Sequence, residues 1–172
     1  MEDFKVKIAN IISKYKSVDI SQVDQTVIAG KTIKQWKKEV YDACNVDGDT
    51  NNYQYIKGKY IEILNLMTKI STILVSLRTK YNIANYMYEK NRALAIAKQK
   101  EQNSRIASNI LEKMVDSDEK VDDYKMSRLA VALIYDTFET FYAHMYKTVY
   151  GLNVIFNIES IVDKSFNNQI PQ

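Results

Sequence analysis

The chain has few of the residues that interrupt regular structure. Four Gly and one Pro occur in 172 residues, and the Pro stands at position 171. Their scarcity predicts long, unbroken elements. Cys44 is the only cysteine, which excludes a disulfide framework and a Cys-based metal set and leaves a small thiol for the core. His144 is the only histidine. With no second His or Cys beside it, a metal site is not expected, because ligand sets need three or more partners. No Gly-rich phosphate loop, G-x-S-x-G turn or Ser-His-Asp order occurs, so the expectation is a protein that is not an enzyme and carries no cofactor. The N-terminus, MEDFKVKIANIISKYK, places acids early and lacks a secretory apolar run. No continuous apolar run approaches the roughly 20 residues of a membrane span. These absences predict a soluble, cytoplasmic chain with no membrane partner.

Hydrophobic residues at 46% and charged residues at 26% describe one ordinary globular domain. The periodicity describes its architecture. Asp3 caps an expected first helix carrying Phe4, Ile8, Ile11, Ile12 and Tyr15 and ending near Ser17. An extended arm or short strand is expected near 26–33, around the β-branched run Thr26–Ile28. Thr32 then reads as the N-cap of a helix through Trp36, Val40 and Cys44. The stretch NVDGDTNN, Asn45–Asn52, is the clearest loop. It divides a small N-terminal helical unit (1–52) from a main body (53–172), the two together forming one compact unit. Asp47, Asp49 and Asn51 imitate the opening of a calcium loop. Asn52 and Gly58 stand where such a loop needs Gly and Glu, so a solvated turn is favoured.

From Tyr53 the helical pattern runs to about Val115. Ile56, Ile63, Ile70, Leu77 and Ala84 recur every seven residues, accompanied by Tyr60, Met67, Leu74, Tyr81 and Tyr88. The seam loses register beyond Tyr88. After the acidic corner SDEKVDD, a second helix carries Tyr124, Val131, Phe138, Met145 and Leu152. Its companion series is Tyr135, Tyr142, Val149 and Phe156. Gly151 is expected to weaken or end it, with a short terminal helix over Ile155–Phe166. The fold class is therefore all-α: a long antiparallel helical hairpin with heptad seams plus the N-terminal unit. Seams of this length predict self-assembly.

Charge is unevenly spread. From Arg78 to Lys113 eight bases face three acids, whereas from Asp116 to Asp123 five acids face Lys120. On a helical wheel Lys90, Lys98, Arg105 and Lys113 form a ridge opposite Ile96, Ala107, Ile110 and Met114, and Lys80 joins it one segment earlier. Arg92 and Lys100 lean toward the apolar flank, where they can snorkel or meet acids of a neighbouring chain. Such a ridge can track a phosphodiester backbone, or it can be a solvated face. A secondary candidate is GKTIKQWKKEVY, where Lys34, Lys37 and Lys38 surround Trp36. That pattern suits single-strand binding, although Trp36, Val40 and Cys44 on one stripe favour a core role.

Between Tyr53 and Ile161 the chain resembles the UvsY-like recombination mediators of T4-type phages. The likeness lies in a long helix ending in a basic segment, an acidic break, and a second helix rich in aromatic and aliphatic residues. ALAIAKQK, Ala93–Lys100, is similar to the family's apolar triplet followed by Lys-x-Arg, with Lys98 and Lys100 at its two basic positions. Glu101, Gln102 and Asn103 stand where the family carries aromatics. The resemblance implies a ring-like homo-oligomer in the host cytoplasm. It would bind single-stranded DNA and help load a recombinase onto DNA covered by a single-strand-binding protein. The candidate contacts are Lys90, Arg92, Lys98, Lys100, Arg105 and Lys113. A structural or accessory interaction protein, assembled through its helical seams without nucleic acid, is the alternative.

Overall fold

The computed structural model describes residues 20–48, 52–102 and 104–167. The expected first helix, and the Asp49 and Asn51 positions of the calcium-like loop, lie outside them. The elements run α1 (Ile20–Gln25), β1 (Val27–Ile28), β2 (Lys31–Thr32), α2 (Ile33–Cys44), α3 (Tyr53–Gln102), α4 (Ser108–Asp116) and α5 (Glu119–Asn167). The fold is all-α apart from the two-stranded hairpin.

Each N-terminal element has a local cause. Val27 pairs with Thr32 and Ile28 with Lys31, so two residues close the hairpin. Ala29 and Gly30 both take positive φ, 49° and 81°, which a tight primed turn demands. Thr32 starts α2 as read from the sequence, with a full capping box. Gln35 N donates to Thr32 Oγ1, and Thr32 N donates to the Gln35 side chain. Asn52 opens α3 by accepting from Tyr55 N at 3.1 Å.

α3 and α5 lie antiparallel along most of their length, with α2 packed on both. The main core contains Ile33, Trp36 and Val40 from α2, Ile63 and Ile70 from α3, and Phe138, Phe141 and Met145 from α5. The heptad series through Ile63, Ile70 and Leu77, and through Phe138, Met145 and Leu152, is buried as expected. The companion series holds in part: Met67, Tyr88 and Val149 are buried, but Leu66 and Ile73 are buried where Leu74 and Tyr81 are half-buried, and Ile134 and Phe141 are buried where Tyr135 and Tyr142 are half-buried. A core shared among three helices requires a wider stripe than a two-helix seam. The tyrosines sit on its flanks, where a ring can bury while its hydroxyl keeps to the surface.

Two expected boundaries also change. α5 continues through Gly151 to Asn167, without a separate terminal helix. One interior Gly costs only about 1 kcal/mol relative to Ala, and Leu152, Ile155 and Phe156 beyond it pack on the core. The first long helix does not reach Val115. It stops at Gln102, and α4 begins six residues later. The segment Lys98–Arg105 has no apolar side chain to hold a continuing helix against a partner. The chain turns, and Leu111 and Val115 of α4 fold back onto Tyr88 of α3 and Val121 of α5.

Candidate nucleic-acid interface

That reversal decides where the basic residues lie. Lys90, Lys98 and Lys100 stand exposed on the last turns of α3, Arg105 in the turn after it, and Lys113 exposed on α4. The single continuous ridge read from the wheel is therefore broken. Its members are instead divided between the last turns of α3, the turn after it, and α4, which returns alongside α3. Lys80 does not join them. It lines a pocket of about 330 Å³ beside the β-hairpin, with Val27, Ile28, Thr72, Ser76 and Leu77 among its walls.

Arg92 serves a different purpose. Its Nε lies 3.7 Å from Asp116 Oδ1 at the end of α4, and its side chain is half-buried. It therefore pairs within its own chain, where the sequence left snorkelling or an acid of a neighbouring chain open. Arg128, not singled out from the sequence, does parallel work from α5. Its guanidinium stacks 4.2 Å over the Tyr88 ring, reaches Asn85 Oδ1 at 3.3 Å and faces Glu89 at 3.9 Å. Arg92 thus ties α3 to the acidic corner, and Arg128 ties α5 to α3. In that corner Asp118 Oδ1 accepts from Lys120 N and Val121 N, capping α5. Glu119 and Asp122 in its first turn complement the helix dipole. The acids flanking the basic end are thus largely helix-starting chemistry, and the sequence signal for this is the Asp-x-x-Val spacing ahead of an apolar series.

The secondary candidate is corrected more sharply. Trp36 is only 3% exposed. Its Nε1 donates to Ile28 O at 2.8 Å, its ring meets Phe138 edge-on, and Lys31 lies 4.7 Å from its ring centroid while pairing with Glu39. No base can stack there. Lys34 and Lys38 are exposed and Lys37 half-buried around a helix whose aromatic faces inward. The exposed aromatic near the basic end is Tyr86, 64% exposed and one turn before Lys90.

Burial pushes the half-buried Cys44 thiol above its ordinary pKa, opposed by a hydrogen bond with Thr148. A hydrogen bond to Glu139 raises the Tyr135 hydroxyl, with desolvation adding to it. Among the described residues no three His, Cys, Asp or Glu side chains gather as a metal site requires. One feature departs from the sequence reading. An 18-residue window of α3 is apolar enough to cross a membrane by length and composition, yet only 33% of it is buried in the fold. Comparison of the chain with family models, curated proteins and solved structures returned no match.

Proposed function

We propose that the chain is a non-enzymatic accessory protein that holds single-stranded DNA at the basic end of its hairpin. The observation that carries this reading is the placement of exposed Lys90, Lys98, Lys100 and Lys113 on two helices at one end of the hairpin. Lysines so placed neutralise backbone phosphates and release counterions, giving an affinity that falls with salt and depends little on sequence. Tyr86 beside them offers one surface on which a base can stack. Each contact is weak, so a homo-oligomer repeating the basic end would hold a strand by avidity. The resemblance to phage recombination mediators adds a recombinase and a single-strand-binding protein as partners.

The test is an electrophoretic shift with a single-stranded oligonucleotide at two salt concentrations. The expected result is binding that weakens at high salt, with Lys98→Ala/Lys100→Ala lowering affinity and reducing the salt slope by about 1.4, or about 0.7 per lost contact. Unchanged low-salt affinity in the double variant ends the proposal. Light scattering on the parent chain checks the oligomer, and a monomer removes the avidity argument. A second reading, an accessory interaction protein, is favoured by the uncovered apolar surface of α3.

A further inference from the structure

α3 has a second apolar face, on the side away from the core. Ile61, Leu64, Val75, Ile83, Tyr86 and Leu94 are all exposed along it, Val75 at 70%. Their spacing, with Thr68, Thr72 and Thr79 between them, follows an eleven-residue repeat: 61, 72, 83 and 94 form one row, 64, 75 and 86 a second. Eleven residues make three turns with a drift of only about 20°, so the stripe runs nearly straight for roughly 50 Å, with the exposed Lys90 entering it between Tyr86 and Leu94.

The threonines belong to the apolar face. Thr68 Oγ1 donates to Leu64 O at 3.0 Å, Thr72 Oγ1 to Thr68 O at 3.1 Å, and Thr79 Oγ1 to Val75 O at 3.2 Å. Each hydroxyl is satisfied by its own helix, so burying this face in an apolar medium orphans none of them. The charge pattern points to the medium. From Ile63 to Tyr88 there is no Asp or Glu, while Lys69 and Lys80 lie eleven residues apart on one flank of the stripe and are exposed. Val27, 62% exposed on the β-hairpin, lines the pocket shared with Thr72 and Lys80 and broadens the face at mid-length.

We propose that this face lies flat on an anionic membrane surface, its stripe set into the headgroup boundary and its lysines on lipid phosphates. An interfacial helix takes an apolar face bordered by basic residues. Lysine stems reach along the apolar boundary to anionic headgroups. A second copy fits less well, because pairing the same face with itself sets Lys69 and Lys80 against flanks that carry no acid between Glu62 and Glu89. A membrane-spanning helix needs an unbroken apolar run, whereas a helix lying in the interface needs only a stripe such as this one, distributed at an eleven-residue period.

The experiment is co-flotation of the full chain with vesicles of equal parts phosphatidylcholine and phosphatidylglycerol, and with phosphatidylcholine alone. The parent chain floats with the anionic vesicles only. Val75→Glu/Ile83→Glu, at two exposed positions, loses at least about tenfold in vesicle binding while keeping its far-UV circular dichroism. Lys98→Ala/Lys100→Ala keeps flotation, which separates this inference from DNA binding at the basic end. Failure of the parent to float, or equal flotation of the Glu variant, overturns it. So does a parent oligomer that the Glu variant dissociates without any vesicle binding, since the face would then be a contact between copies.

Discussion

The two ends of the hairpin are built to different standards. Toward the N-terminal unit, three helices share one continuous core in which Ile56, Ile63, Ile70, Phe138, Phe141 and Met145 are completely buried. At the far end, four buried residues, Tyr88, Leu111, Val115 and Val121, hold α4 and the start of α5 to α3. Arginine clamps supplement them there. The core end draws its stability from apolar burial, whereas the far end relies more on ion pairs and a cap, which contribute less per contact. Its opening therefore costs less than global unfolding. The exposed lysines thus sit on the part of the molecule best able to adjust to a ligand.

Substitutions can break or sharpen that contrast. The largest effect is expected for Phe138→Ala, which removes a fully buried ring packed edge-on against Trp36 and Phe141. It should cost about 3–5 kcal/mol of global stability in urea unfolding followed by circular dichroism. A cost under about 1 kcal/mol would mean that this core is not the cooperative centre. Leu111→Ala comes next, with about 2 kcal/mol or more lost within the far end. The signature is faster amide exchange over 108–121 with the global midpoint nearly unchanged. A global shift equal to that of Phe138→Ala would merge the two regions into one cooperative unit. The smallest effects are the caps, Thr32→Ala and Asp118→Ala, at about 1 kcal/mol each. Thr32→Ala should lower the global midpoint, and Asp118→Ala should register mainly as exchange in the first turn of α5.

What could be read from the chain follows the same division. The Thr32 cap, the break after Cys44 and the series through Ile63 and Phe138 depend on local chemistry or a regular period, and all are legible. The end of α3 at Gln102 and the return of α4 depend on Tyr88 meeting Leu111 and Val115, contacts that no local pattern announces. The candidate site divides likewise. Lys98 and Lys100 are exposed where composition suggested, but Arg92 is drawn to Asp116 and Trp36 into the core by neighbours distant in sequence. The face along Ile61–Leu94 is masked in the sequence by the stronger seven-residue series on the same helix.

Trp36 is the only tryptophan in the chain, and it lies where the β-hairpin, α2 and α5 meet. Its indole therefore makes the protein self-labelled at a single place. A red shift in its fluorescence would mark the moment at which the N-terminal unit leaves the hairpin. Events confined to the basic end, where only tyrosines stand, should leave that emission unchanged. The same tube can then distinguish undocking at one end from ligand capture at the other without an added dye.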